Sequence, residues 1–234
     1  MSLQASALKK SYNGRLVLEA DVQFRENCLY TILGPNGSGK STFLKILAGL
    51  ESPDLGRVTA FKGAGPGQGQ IRPVLVPARK GLFNDTVFKN VAYGLKIRKV
   101  PTAQLKEKVE EVLGVVGLLA LRNSNALTLS DGEAQRLCLA MALAIEPEII
   151  LLDEPTSSLD PQNTQLVEQL ILEMKQTARL IILVTHNIFQ AKRVADYALF
   201  LYQGQVLEVT PAGRFFTNPA SEGARSFLRG EMVY

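Results

Sequence analysis

The chain has 234 residues, 46% hydrophobic and 21% charged, enough for one large domain, or a domain with a small lobe, under a polar surface. The net charge of +4 is spread without a lysine or arginine block or aromatic–basic alternation, too diffuse to argue nucleic-acid binding, and leaves an ordinary solvated surface with no nucleic-acid partner as the expectation. Two cysteines, Cys28 and Cys138, exclude a disulfide framework and are expected to pack in the core in a reducing compartment.

No signal peptide is expected at the start of the chain. The longest run without charged or strongly polar residues is Val112 to Leu121, about half of the ~20 residues a spanning helix needs. Leu3, Ala5 and Ala7 alternate, as do Leu16, Leu18, Ala20, Val22 and Phe24 against Glu19, Asp21 and Gln23. Residues 16–24 are therefore predicted as a half-exposed antiparallel strand, with the opening segment pairing nearby. Leu29 to Leu33 reads as a buried strand, and Thr42 to Ala48 as a helix closed by Gly49.

Between those two elements lies Gly34-Pro35-Asn36-Gly37-Ser38-Gly39-Lys40-Ser41-Thr42, which fits the spacing G-x-x-x-x-G-K-[ST]. Glycines let several backbone N–H groups point at one anion, and the helix N-terminus adds partial positive charge. Lys40 is expected to supply a cation for the β- and γ-phosphates of a nucleotide, and the Ser41 hydroxyl can ligate Mg²⁺.

After Gly56 a short strand is expected over 58–61, then a glycine- and glutamine-rich loop, 63–70, then a short strand at 74–76 broken by Pro77. The stretch 86–130 is predicted helical, with Leu105, Val109, Val112 and Val116 on one face, a start at Pro101 and Thr102 and an interruption at Gly117. Ser130 caps a helix to about Ile145, ended by Glu146-Pro147. Ile149 to Leu152 and Leu180 to Val184 read as buried parallel strands joined by a helix over 161–176. Tyr197 to Tyr202 and Val206 to Val209 form a hairpin, and the tail carries only Phe215-Phe216 and Phe227-Leu228.

Asp153 and Glu154 end the first of those strands, at the sheet edge where parallel strands converge beside the glycine-rich loop. Asp153 is placed to hold Mg²⁺, and Glu154 to orient or deprotonate an attacking water. His186, the only histidine, closes the next strand at the same edge, within reach of a γ-phosphate.

Leu129-Ser130-Asp131-Gly132-Glu133-Ala134-Gln135-Arg136 resembles the signature sequence of the ATP-binding cassette (ABC) ATPases, commonly Leu-Ser-Gly-Gly-Glu/Gln followed by Gln-Arg. Ser157-Ser158-Leu159-Asp160 resembles their D-loop, His186 their switch histidine, and Tyr12 the aromatic that stacks on adenine. The resemblance covers the chain in the family's order. It implies a P-loop α/β fold, mainly parallel in its sheet, with an antiparallel β subdomain and a helical subdomain over about 84–145. It also implies ATP and Mg²⁺ as cofactors, and a second copy of the chain whose Ser130, Gly132 and Asp160 complete the nucleotide held at Lys40. Transmembrane permease subunits, an extracytoplasmic solute-binding protein and a place on the cytoplasmic face of the membrane follow from it as expectations.

Two departures bear on these expectations. Asp131 stands where glycine is commoner; pointing inward it weakens ATP affinity, while pointing outward or capping the helix it is harmless, and the second is expected. No glutamine follows the 74–76 strand, where the family uses one to contact Mg²⁺ and the membrane partner; the chain reads Pro77-Ala78-Arg79-Lys80. Water, or Gln68 or Gln70 folding back, is left to fill the role, since Gln104 is out of register. Slower or less tightly coupled hydrolysis is the expected consequence.

The segment 82–95 is similar to the part of importer ATPases that docks on membrane subunits; Leu82, Phe83, Val87 and Val91 line that groove or belong to the core. Residues 96–101 look most like ATPases of tungstate and molybdate importers. No C-terminal regulatory domain is expected. Rival readings are a soluble ABC ATPase, a switch that does not hydrolyse, and an exporter; a single P-loop and the lack of a heptad run favour the import subunit.

Overall fold

Leu18, Ala20, Val22 and Phe24 are buried while Asp21 and Gln23 face solvent, as alternation along a strand covered on one side requires. In the computed structural model, which describes residues 2–61 and 71–232, this segment is β2 (Arg15–Phe24) and pairs antiparallel with β1 (Ser2–Tyr12). Asn13 and Gly14, at φ of 50° and 78°, turn the hairpin between them. The chain divides into two units: Met1–Leu75 with Glu148–Glu154 and Ala178–Tyr234, and Val76–Pro147 with Pro155–Thr177.

In the first unit β3 (Cys28–Leu33) leads through the glycine-rich loop into α1 (Lys40–Leu47), and β4 (Leu55–Phe61) pairs with the outer edge of β1. β5 (Val74–Val76) begins in this unit and crosses into the next.

The second unit is helical. Thr86 caps α2 (Val87–Ile97) by accepting from the Lys89 N–H, and Pro101 precedes α3 (Thr102–Val115). Two short 3-10 turns, Leu119–Leu121 and Ala126–Thr128, lead to α4 (Asp131–Leu143).

Back in the first unit is β6 (Ile149–Asp153); α5 (Pro161–Thr177) belongs to the second. The chain continues through β7 (Leu180–Val184), α6 (Ile188–Val194), the hairpin of β8 (Tyr197–Tyr202) and β9 (Gln205–Pro211), then α7 (Ala212–Thr217) and α8 (Glu222–Leu228).

Among the described residues nine strands make one sheet, ordered β4-β1-β2-β9-β8-β3-β7-β6-β5. β3 is parallel to β7 and β8, and β6 to β7; the β1, β2 and β4 end and the β8–β9 pair are antiparallel. This is the expected α/β class, with its antiparallel part continuous with the parallel sheet. Leu29, Ile32, Leu151, Ile182 and Leu183 are fully buried, which is why these strands read as unbroken apolar runs.

Three details differ from expectation. Ala7 is exposed at a bulge with φ of 46°, and Leu8 takes the buried place. The buried face of α3 and its exit is Leu105, Val109, Leu113 and Val116; Val112 is half-buried. The tail forms α7 and α8, whose Phe215 and Phe227 pack at 6.3 and 5.3 Å from the Phe200 ring. Among the described residues no helix is long and apolar enough to cross a membrane. Neither Cys28 nor Cys138 is in a disulfide, and burial pushes the Cys138 thiol up to about 11.

Candidate nucleotide site

The loop from Gly34 to Gly39 is shaped by close backbone approaches. Gly34, at φ of 151°, lies against the carbonyl of Leu201 in β8, where a Cβ has no room. A Cβ on Gly39, at φ of 102°, would stand 2.6 Å from the carbonyl of Val17 in β2. Those glycines seat the loop between two strands. α1 then starts without a side-chain cap, leaving its first-turn N–H groups turned to the loop.

Lys40 is buried, and its Nζ donates to the carbonyls of Gly34 (2.8 Å) and Pro35 (2.9 Å). An ammonium has three donors, so this anchoring fixes its position and keeps one for an anion. Burial holds its pKa below the usual lysine range, against the opposing pull of Glu154 and Asp153.

The parallel strands bring the acids to the same edge. The Ser41 hydroxyl donates to Asp153 Oδ1 at 3.2 Å. Burial raises the Asp153 pKa, while Ser41, Lys45 and Lys40 pull it down. Glu154 sits in the left-handed region (φ 50°), uncommon for this residue, with its N–H donating to the Val184 carbonyl at 2.9 Å. That backbone brings Glu154 Oε2 to 2.7 Å from His186 Nδ1. A cavity of about 320 Å³ is lined by Val17, Asn36, Gly37, Gly39, Lys40, Ser41, Thr42, Glu154 and Val184. Val17 escaped the sequence reading, where it is one apolar residue among several in β2. A second cavity of about 600 Å³ shares Val17, Asn36 and Gly37 with the first and adds Arg15, Leu16, Pro35, Ser38 and the Tyr202–Gly204 turn.

Tyr12 ends β1 with its ring 43% exposed and does not line the first cavity. Its hydroxyl donates to the carboxylate of Glu51, just past the end of α1.

Ser130, Gly132 and Asp160 lie in the second unit. Ser130 caps α4 in a reciprocal box: its Oγ donates to Glu133 Oε2 at 2.7 Å and its N–H at 2.9 Å. Gly132 packs against the Asn163 side chain. Asp160 accepts from the Asn163 N–H (2.9 Å) and Nδ2 (2.6 Å), bonds that hold its pKa below the usual carboxylate range. Asn163 Oδ1 in turn accepts from Arg136 at 2.8 Å. The signature turn and the Asp160 loop are thus one network through Asn163, a link that sequence spacing does not reveal.

The exposed Asp131 carboxylate meets Lys80 at 2.5 Å. Ala78 is exposed beyond β5 and Gln104 lies on α3. Gln68 and Gln70 fall outside the described residues. In the segment 82–95, Val87 and Val91 are core, while exposed Phe83 packs against Tyr93, the rings tilted with centroids 4.6 Å apart.

A strand, a glycine loop cradling a lysine, and a serine facing the acidic end of a neighbouring parallel strand define a P-loop nucleotide-hydrolysing protein. Residues 17–157 match the sequence family described as ABC transporter. The chain belongs to the ABC transporter family and is one of its ATP-binding ATPases. It is 36% identical over 250 residues to the phosphate import ATP-binding protein PstB 2 of Natronomonas pharaonis, covering 99% of this chain and 88% of the relative. It is 37% identical over 210 residues to the tungstate uptake system ATP-binding protein TupC of Peptoclostridium acidaminophilum, covering 89% and 98%. The solved structure of cbiO1 from Clostridium perfringens, part of the ABC transporter complex cbiONQ, superposes with a TM-score of 0.80 at 26% identity, covering 92% of this chain and 90% of that one.

Proposed function

We propose that this chain is the energising subunit of an importer for a small oxyanion such as tungstate or molybdate. It works as two copies on transmembrane permease subunits at the cytoplasmic face of the membrane, with a solute-binding protein delivering cargo from outside. The contact that carries the hydrolytic reading is Glu154 Oε2 to His186 Nδ1, 2.7 Å, with Glu154 on the wall of the cavity that holds Lys40. The names of two relatives, one for phosphate and one for tungstate, support an oxyanion cargo.

In this reading the loop N–H groups and Lys40 hold the β- and γ-phosphates of ATP. Ser41 and Asp153 would hold magnesium, since a hydroxyl and a carboxylate 3.2 Å apart are the hard oxygen donors this ion takes. Bound there, the ion would neutralise charge on the phosphate oxygens. Glu154 accepts a proton from water as the water oxygen bonds to the γ-phosphorus and the bridging oxygen departs with ADP. His186 positions Glu154. Ser130, Gly132 and Asp160 of the other copy complete the site, and Tyr12 carries the base. The whole chain is one nucleotide-binding domain whose helical subdomain spans about 84–145, and exposed Phe83, Tyr93 and Ile97 face the permease.

Co-purification from membranes identifies the permease, and reconstitution with it in liposomes tests the proposal. Tungstate or molybdate uptake that requires ATP and is lost in Glu154→Gln is expected. Stimulation by an amino acid instead of an oxyanion overturns the cargo, and full uptake by Glu154→Gln overturns the chemistry.

A further inference from the structure

A polar cluster at the end of β1 is not used by the chemistry above. The Tyr12 hydroxyl donates to the Glu51 carboxylate, just past α1. Lys10 Nζ stands 5.4 Å from the centre of the same ring. That lysine is itself held, donating to the Ser52 carbonyl at 2.9 Å and to Asp54 Oδ1 at 3.3 Å, with Glu51 at 3.6 Å. Asp54 accepts from the Ser11 N–H at 2.6 Å, which closes the cluster onto the strand that carries Tyr12. The side chains of Lys10 and Glu51 are only 15% and 21% exposed, so these contacts are not loose surface pairs.

An exposed tyrosine at a strand end ordinarily turns about its χ angles, and a base stacking on it must first freeze them. Here the hydroxyl end is fixed by Glu51 and one face is covered by a fixed ammonium. A cation over one face draws π density toward itself, which favours an electron-rich purine on the other.

We infer that Glu51 and Lys10 are positioning residues for nucleotide binding, holding the Tyr12 ring as a preset one-sided platform for the purine base. The inference rests on the proposed role of Tyr12 under the base. Their effect is confined to the base: the phosphates are held by the loop at 34–42 and gain nothing from the orientation of the ring. The Glu51 hydrogen bond, with a smaller contribution from burial, also holds the Tyr12 phenol above its ordinary pKa, which provides an optical readout in a chain of six tyrosines and no tryptophan.

The test is calorimetric binding of ATP and of inorganic tripolyphosphate to the full chain and to Glu51→Gln, Lys10→Met, Tyr12→Phe, Tyr12→Ala and Glu51→Gln/Tyr12→Phe, each checked by thermal unfolding. Glu51→Gln and Lys10→Met are expected to weaken ATP about 3- to 10-fold, the loss of one preorganised side chain, with tripolyphosphate unchanged within about twofold. Glu51→Gln is expected to add nothing in the Tyr12→Phe background, and to lower one phenol titration at 295 nm. Equal weakening of tripolyphosphate, or an undiminished Glu51→Gln effect without the phenol, overturns the inference. Tyr12→Ala separates the two ideas. If it leaves ATP affinity intact, the base-platform reading fails and this inference with it. If it weakens ATP while Glu51→Gln and Lys10→Met do not, only the positioning role fails.

Discussion

Gly132→Ala is the substitution whose consequence follows most directly from the packing. A Cβ at this position runs into the amide of Asn163. That amide accepts from Arg136 at 2.8 Å and donates to Asp160 at 2.6 Å, so it cannot withdraw without releasing both partners. A charge-assisted bond such as Arg136 to Asn163 contributes about 1.5–3 kcal/mol, and alanine in place of glycine inside a helix returns at most about 1 kcal/mol. The expected net destabilisation is about 1–2 kcal/mol in urea unfolding. The sharper expectation is non-additivity: Asn163→Gly removes the same bonds and the obstacle together. Gly132→Ala/Asn163→Gly is therefore expected to be no less stable than Asn163→Gly alone. A double variant whose loss equals the sum of the single losses would refute the claim that Gly132 acts through Asn163.

Glu154→Gln is expected to lower the ATPase rate at least about 100-fold while ATP binding persists, as removal of a general base does, and a rate within twofold of the parent would remove Glu154 from that role. Lys80 neutralises Asp131, so Asp131→Gly is expected to leave ATP affinity within about twofold; a rise of tenfold would mean the carboxylate acts on bound nucleotide. Restoring the family's glutamine with Ala78→Gln is expected to raise permease-stimulated turnover, and no change would count against a role for its absence in slowing hydrolysis. The Cys138 thiol, at about 11 and buried, is expected to resist maleimide at pH 8 while Cys28, half-buried, reacts; prompt labelling of Cys138 in the folded chain would contradict its packing.

The parallel core was legible because strands buried on both faces leave continuous apolar runs, and β3, β6 and β7 lie where Leu29–Leu33, Ile149–Leu152 and Leu180–Val184 mark them. The phosphate loop was legible for a different reason: glycines forced by backbone crowding at Gly34 and Gly39 leave a spacing that few other structures require. Local patterning failed where a tertiary partner decides. The bulge at Ala7 reflects the nearby carbonyls of Ser6 and Ala7 closing on Gly56 of β4, and the one-residue shift from Val112 to Leu113 reflects which side of α3 its neighbours cover. α7 and α8, of six and seven residues, are too short to show a period and depend on Phe200 for their packing. Asn163, Val17 and Glu51 escaped notice because each acts through a contact distant in sequence: with Gly132, with Gly39 and with Tyr12.

In the proposed function two copies close over ATP, each supplying Ser130, Gly132 and Asp160 to the nucleotide at the other's Lys40. Light scattering on size-exclusion chromatography of Glu154→Gln with saturating Mg-ATP measures this directly. A species of twice the 25.5 kDa chain mass that returns to monomer in Mg-ADP is the predicted result. A chain that stays monomeric with ATP bound, and stays so with its permease supplied, would contradict it.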